Sequence, residues 1–298
     1  EKAGRAVALD VADYFDPANI VILCGKGNNA GDGYVAARYL AKAEWKVTLL
    51  YTDEPPEDGG DARRMWEKIP DNVRKVQFEE VKDNLGSFLS DFELAIDGLL
   101  GTGVKGKPRP PFDQIIETLN DAGLPVFSVD IPSGLHPETG TAELAVQAFR
   151  TITMGLPKVG MVSNDGPKLC GGIRVEPLDF PQDLIEGAES NFFTFTLAEA
   201  RELLPPRPVD AHKGKFGTVV IAAGSAAMPG ASVLCGIGAM RGGVGLVRMH
   251  VPEAIRPIVA GHLPEAIFSQ AHSGAEQLQP LSDEDMEAML DRVKAIAA

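Results

Sequence analysis

The sequence contains little cysteine and histidine. Among 298 residues there are five histidines and three cysteines, which are Cys24, Cys170 and Cys235. Neither set has the spacing of a zinc site, and the odd number of distant cysteines predicts no disulfide framework. The sequence also shows no signal peptide and no run of about 18 apolar residues, so it predicts no membrane-spanning helix. We therefore expect a protein of the reducing cytoplasm.

Positive charge is also scarce. Lysine and arginine total 28 against 42 aspartate and glutamate residues, which gives a net charge of −14. This deficit argues against a general nucleic-acid binder and a membrane-surface binder. It does not exclude a small anionic ligand, because backbone amides and a few lysines can bind phosphate locally. The composition therefore favours a small-molecule substrate.

Short apolar strands alternate with helical segments in the first part of the chain. We expect strands at Asn19–Cys24 and Lys46–Tyr51, and further strands that end at Asp97 and Asp130. This alternation predicts an α/β fold with a parallel sheet covered by helices on both faces. The helices are expected at residues 1–14, 33–42, 61–68 and 112–121.

A stiff connector, Pro205-Pro-Arg-Pro208, precedes a second strand–helix–strand pattern. Proline can continue neither a helix nor a sheet ladder, so we place a boundary slightly before it, between a domain of residues 1–190 and a domain of residues 191–298. The second domain is expected to have strands at 218–223 and 246–251 around a helix at 231–241. Its last residues predict one apolar helical face, formed by Met286, Met289, Leu290, Val293 and Ala297.

The turn after the first strand, Gly25-Lys-Gly-Asn-Asn-Ala30, has the Gly-x-Gly-x-x-Ala form of a dinucleotide-binding fingerprint. A helix that begins there presents N–H groups and a positive dipole end to phosphate. Asp53 lies where nicotinamide-dependent dehydrogenases have a ribose-binding acid, and such an enzyme is one alternative. Asn28, Asn29 and Asp32 instead suit hydroxyl recognition or an alkali-metal ion, since a carboxylate repels phosphate.

Two more loops with polar side chains follow predicted strands. One is Asp97-Gly-Leu-Leu-Gly-Thr-Gly-Val-Lys-Gly-Lys107, in which glycines allow close backbone approach and lysines can neutralise phosphate. The other is Asp130-Ile-Pro-Ser-Gly134, in which Pro132 fixes the turn. Because the carboxyl ends of parallel strands share one edge of the sheet, we expect all three loops to converge on a single crevice.

Asn29, Asp97 and Ser133 carry hard oxygen donors, with no imidazole or thiolate among them. One carboxylate with neutral oxygens forms a site of low charge, which makes K⁺ a candidate and leaves Na⁺ and Mg²⁺ open. A rigid turn, Gly155-Leu-Pro-Lys-Val-Gly160, places Lys158 either at the same crevice or in solvent.

The motifs at 25–33, 97–103 and 130–134 resemble, in content and order, the epimerase domain of the NAD(P)H-hydrate repair enzymes. Residues 212–217, the loop at 224–231 and the Gly-rich stretch through Pro252 are similar to the start of the ADP-dependent hydrate dehydratase domain fused to it in many members. The resemblance implies a Rossmann-like three-layer αβα domain followed by a partial ribokinase-like α/β domain. It also implies an enzyme that interconverts the R and S forms of hydrated NADH and NADPH.

The resemblance further implies a set of site residues. Asp130 is expected to contact the substrate as the acid/base group, and K⁺ is expected at Asn29, Asp97 and Ser133. Ala231 is expected at a substrate-contacting position in the second domain. The implied cofactor-binding residues are Asn28, Asn29, Ala30, Gly31, Asp32, Gly101, Thr102, Gly103, Val104, Lys105, Gly106, Lys107, Asp130 and Ala231.

The second domain departs from the pattern of this family. The nucleotide loop and the catalytic Gly-x-Gly-Asp pattern of the ADP- or ATP-dependent dehydratase have no counterpart after residue 252. We therefore expect a dehydratase module that is cut short and inactive, with an unfinished sheet that pairs with another surface, and we expect a homo-oligomer. A non-catalytic scaffold of the same fold is the other alternative, which the polar residues of the three loops disfavour.

Overall fold

The computed structural model describes residues 1–55, 57, 60–103, 106–187, 191–195, 197–204, 206–269, 276–278, 280, 282–290 and 293–297. The chain divides into two compact units, Glu1–Phe193 and Thr194–Ala298. Each unit has its own parallel sheet. Within the described ranges, no helix combines the length and the hydropathy needed to cross a bilayer.

Seven parallel strands form the sheet of the first unit. They are β1 (Asn19–Cys24), β2 (Lys46–Tyr51), β3 (Arg74–Gln77), β4 (Leu94–Gly98), β5 (Val126–Val129), β6 (Arg150–Met154) and β7 (Gly172–Glu176). Their order is β3-β2-β1-β4-β5-β6-β7, so the chain builds outward from β1 to β3 and then continues on the other side of β1 with β4. In open α/β sheets, ligands bind at the carboxyl ends of the strands where the order reverses in this way.

Helices cover both faces of this sheet, as predicted. They are α1 (Lys2–Tyr14), α2 (Asn28–Lys42), α3 (Gly60–Glu67), α4 (Phe78–Val81), α5 (Leu85–Leu89), α6 (Phe112–Asp121), α7 (Gly166–Leu169) and α8 (Gln182–Glu186), with a 3₁₀ turn at Val159–Met161. Along β1, Ile20 and Ile22 are buried in a cluster with α1 and α2, whereas Val21 and Leu23 are buried with α6. This alternation follows from the two-residue period of a strand, and burial on both faces is typical of a parallel sheet.

Helix α2 begins at Asn28, earlier than the predicted Gly33. Gly27 precedes it in an extended conformation, and Gly31 packs so closely on α3 that a Cβ there would lie 3.3 Å from the Cα of Ala62. Packing of this kind can stabilise a helical turn that glycine and asparagine alone disfavour. The predicted loop residues Asn28–Asp32 therefore form the start of a helix.

The second unit has four parallel strands in the order β10-β9-β8-β11. Its elements are α9 (Leu197–Glu202), β8 (Thr218–Ala222), α10 (Pro229–Arg241), β9 (Leu246–His250), a 3₁₀ turn (Glu253–Ile255), α11 (Arg256–His262), β10 (Ile267–Phe268), α12 (Asp283–Leu290) and β11 (Val293–Ala297). The predicted helical face from Met286 to Ala297 is wrong in its second half, because α12 ends at Leu290 and β11 pairs with β8. Val293 and Ile296 favour a strand, and the free side of β8 supplies the hydrogen-bonding partner.

Candidate functional site

A cleft of about 660 Å³ opens at the carboxyl ends of β1 and β4, and we call it the β1–β4 cleft. The turn after β1 and the start of α2 form one wall, and residues between Leu99 and Phe112 form the other. Several residues predicted to bind the cofactor line it, namely Asn28, Asn29, Gly101, Thr102, Gly103 and Lys107. The structure therefore brings the first two predicted loops to one cleft.

Three cationic side chains line the β1–β4 cleft. They belong to Lys26, Lys107 and Arg109, and none of them forms an ion pair within the described ranges. The net charge of the chain is −14, so unpaired cations at one cleft indicate an anionic ligand. Lys26 and Arg109 are not among the residues predicted to bind the cofactor, although the basic stretch from Lys105 to Arg109 indicates a phosphate-binding segment.

The other predicted cofactor-binding residues lie elsewhere. Ala30 and Gly31 are buried within α2, and Gly106 lines a separate pocket of about 170 Å³ beside His136. Ala231 belongs to the second unit, where it lies exposed in the first turn of α10. Val104 and Lys105 lie outside the described residues.

Asp97 is fully buried at the end of β4, and its carboxylate accepts hydrogen bonds from the loops that follow β4 and β5. Its Oδ1 accepts hydrogen bonds from the N–H of Leu99 at 3.2 Å and the hydroxyl of Ser133 at 2.5 Å. Its Oδ2 accepts hydrogen bonds from the Ser128 hydroxyl and the Ser133 N–H, both at 2.9 Å. Burial raises the pKa of Asp97, and these hydrogen bonds oppose the rise.

Leu100 connects this carboxylate cluster to Asn29. The Leu100 N–H donates to Ser133 Oγ at 2.8 Å, and Asn29 Nδ2 donates to the Leu100 carbonyl oxygen at 3.0 Å. The structure thus brings Asn29, Asp97 and Ser133 together as neighbours. Whether they bind a metal ion stays a prediction.

The chemistry of this cluster fits a monovalent cation. In the described part of the chain, no lysine or arginine pairs with the buried carboxylate of Asp97. A buried charge without a counter-ion is costly, and the neighbouring donors are hard oxygens. Because each Asp97 oxygen already accepts two hydrogen bonds, Asn29 Oδ1 and Ser133 Oγ are the side-chain atoms left to hold an ion.

Asp130 follows β5 with a φ of 65°, in the left-handed region that aspartate tolerates better than most residues. Its Oδ1 accepts hydrogen bonds from the Met154 N–H at 3.0 Å and the Thr153 hydroxyl at 3.3 Å, and it forms an ion pair with Lys158. Its Oδ2 accepts no hydrogen bond from the described residues. Lys158 therefore pairs with the predicted acid/base residue rather than extending into solvent.

Asp32 lies half-buried near the start of α2, close enough to Asp130 for their charges to interact. Burial raises the pKa of Asp32 from 3.8 to about 6, and the negative charge of Asp130 adds to the rise. The environment of Asp32 therefore favours its protonated form up to about pH 6.

Comparisons with known proteins agree with the resemblance seen in the motifs. The family model for the YjeF-related protein N-terminus matches residues 1–160, and the model for NAD(P)H-hydrate dehydratase matches residues 219–297. The yeast protein ynu0, known from a crystal structure, is 22% identical with a TM-score of 0.55 over 65% of this chain and 85% of that chain, which shows a shared fold.

The relatives in sequence are named bifunctional NAD(P)H-hydrate repair enzymes Nnr. The one from Thermofilum pendens is 34% identical over 90% of this chain and 51% of its own length. The one from Moorella thermoacetica is 32% identical over 99% of this chain and 57% of its own length. The one from Hyperthermus butylicus is 34% identical over 100% of this chain and 54% of its own length. The chain thus spans about half the length of these relatives.

These matches favour neither the dehydrogenase nor the scaffold alternative. The first family model covers more than half of the chain, from the first residue to the end of the Lys158 turn. The chain therefore belongs to the family of the YjeF-related protein N-terminus, and its second unit carries a match to NAD(P)H-hydrate dehydratase.

Proposed function

We propose that the first unit epimerises hydrated NADH and NADPH. The names of the relatives, the cationic β1–β4 cleft and the carboxylate of Asp130 support this proposal. The observation that carries it is the unequal bonding of Asp130, whose Oδ1 is held by three donors whereas its Oδ2 has no donor among the described residues. Such a carboxylate has a fixed orientation and one atom available for proton transfer.

In the proposed reaction, Asp130 moves one proton between two atoms of the substrate. The R and S forms differ at C6, which carries the added hydroxyl next to ring nitrogen N1. Asp130 Oδ2 takes the hydroxyl proton, the C6–N1 bond breaks to leave a C6 carbonyl, and Oδ2 returns the proton to N1. Rotation about C5–C6 and the reverse steps close the ring on the other face. The redox state of the substrate is unchanged.

The substrate phosphates are proposed to bind at the β1–β4 cleft. Lys26, Lys107 and Arg109 line this cleft, and the start of α2 contributes backbone N–H groups and the positive end of its dipole. These cations and N–H groups can bind phosphate, and no carboxylate that would repel phosphate is among the described residues that line the cleft.

We propose K⁺ as the ion held by Asn29 Oδ1 and Ser133 Oγ beside Asp97. When bound, the ion supplies positive charge that offsets the buried carboxylate. Because Asn29 lies on α2 and Ser133 follows β5, the two residues would then be fixed relative to each other.

For the second unit, we propose that it has no dehydratase activity of its own. The support is its sequence, in which no Gly-x-Gly-Asp pattern follows Pro252.

Asp130→Asn is expected to slow equilibration of the R and S hydrates by about 10²- to 10⁴-fold. Asparagine tolerates the backbone at φ 65° but cannot take up the proton. Chromatographic separation of the epimers over time gives the rate. Asp121→Asn, at the exposed end of α6, is the matched control and is expected to keep the wild-type rate. Equal rates for the wild type and Asp130→Asn would contradict the proposal.

Replacing choline by K⁺ is expected to stabilise the folded chain, by about 2.7 kcal/mol when the ion is at about 100 times its Kd. Thermal unfolding in the two salts measures this effect. Asn29→Ala should abolish it, whereas Asn28→Ala, at the adjacent position on α2, should retain it. If both variants respond to K⁺ as the wild type does, Asn29 is not a ligand.

The purified chain is expected to leave S-hydrated NADH unrepaired in the presence of ADP or ATP. The return of NADH absorbance measures dehydration, and spontaneous loss without protein is the baseline. Nucleotide-dependent recovery above that baseline would show that the second unit is an active dehydratase.

Asp32→Asn is expected to stabilise the protein by about 2 kcal/mol at pH 8 and not at pH 4. The folded-state pKa of about 6 exceeds the ordinary 3.8, so ionisation of Asp32 costs stability as pH rises through this window. Urea unfolding at the two pH values measures the difference. Asp121→Asn, at an exposed position that ends α6, is the control. A gain at pH 4 as large as that at pH 8 would contradict the assignment.

A further inference from the structure

Lys158 uses all of its hydrogen-bonding capacity within the protein. Its Nζ forms an ion pair with Asp130 Oδ1, donates to the Thr153 hydroxyl at 2.8 Å, and donates to the Met154 carbonyl oxygen at 3.2 Å. An ammonium group has three N–H donors, and each of them has one of these partners. Lys158 therefore has no donor left for a ligand unless one of these bonds breaks.

The turn that carries Lys158 is fixed at both ends by close packing. At Gly155, which has a φ of 73°, a Cβ would lie 2.6 Å from the ring of Phe180. At Gly160, a Cβ would lie 2.1 Å from the His136 carbonyl oxygen. Between them, the Lys158 N–H lies 3.4 Å from the sulfur of Met161, which is fully buried. These contacts fix the backbone of the turn from which the Lys158 side chain extends to Asp130.

Asp130 has two charged neighbours of opposite sign on separate elements. Lys158 approaches Oδ1 from the turn after β6, and Asp32 acts on Asp130 from α2. Asp32 and Asp130 repel each other when both are ionised, whereas Lys158 attracts the Asp130 carboxylate. Three donors hold Asp130 Oδ1, and Lys158 is the one among them that carries a positive charge.

We propose that Lys158 is a positioning residue that anchors Asp130 Oδ1, so that Oδ2 is the atom presented to the substrate. The inference rests on the proposed epimerase function and deepens it. Lys158 acts through Asp130 and does not itself touch the substrate. Its loss should therefore impair the chemical step while leaving substrate binding at the β1–β4 cleft intact.

The test compares Lys158→Met, Lys158→Arg and a control, Lys168→Met, in the full chain. Lys168 lies exposed on α7 and is expected to behave as the wild type. Lys158→Met should lower kcat for hydrate epimerisation about tenfold or more while KM stays within about twofold, because an interaction used only in the chemical step is lost. Lys158→Arg keeps a cation near Oδ1 and should recover a large part of kcat.

Thermal unfolding of the same variants shows whether a loss of activity comes from the displaced Asp130 carboxylate or from unfolding of the protein. The ion pair is partly exposed, with side chains 20% and 19% accessible, so Lys158→Met should unfold cooperatively and close to the wild type. The proposal is overturned if Lys158→Met matches Lys168→Met in kcat, if it raises KM instead of lowering kcat, or if Lys158→Arg is as impaired as Lys158→Met. Absence of epimerisation by the wild type would instead refute the proposed function.

Discussion

The hydrogen-bonded carboxylate of Asp97 is the interaction on which the rest of the site depends. It lies at the end of β4 and accepts hydrogen bonds from Leu99, Ser128 and Ser133, so the loops after β4 and β5 cannot move independently. Leaving those oxygens buried and unbonded would be costly, which makes the arrangement strongly favoured. Through Leu100 the same cluster reaches Asn29 at the start of α2. Hydrogen bonds therefore connect the two walls of the β1–β4 cleft.

Charge is distributed unevenly in this acidic chain. Lys26, Lys107 and Arg109 form no ion pair within the described ranges and line one cleft, whereas the three donors of Lys158 are bonded to Asp130, Thr153 and Met154. Local positive potential can therefore attract phosphate despite a net charge of −14. We propose that the unpaired cations bind the anionic part of the substrate and that the paired cation, Lys158, orients the group that reacts. A lysine whose three N–H donors are already bonded within the protein can orient a neighbouring group, whereas a lysine with free donors can bind a ligand.

Sequence patterns predicted the elements that are encoded locally, namely apolar strands and helices with a regular apolar face. The predicted bounds of β1, β2 and α6 match the structure, and Asn29, Asp97 and Ser133 lie together as predicted. Asp130, which was expected at the same crevice, is not among the residues that line the β1–β4 cleft. The strands β3 and β6 were not predicted, since Arg74–Gln77 and Arg150–Met154 are largely polar and depend on pairing within the sheet. The start of α2 depends on packing against α3, and β11 depends on pairing with β8. For the same reason, the partner of Lys158 could not be chosen from its turn alone, because Asp130 approaches it from another strand.

A crystal structure of the protein with hydrated NADPH bound would test the proposed roles of the cations and of Asp130 together. We expect the phosphates in the β1–β4 cleft beside Lys26, Lys107 and Arg109. We also expect the C6 hydroxyl within hydrogen-bonding distance of Asp130 Oδ2, at about 2.6–3.2 Å. A complex in which C6 lies away from Asp130, with Oδ2 in contact with solvent only, would show that Asp130 is not the acid/base group.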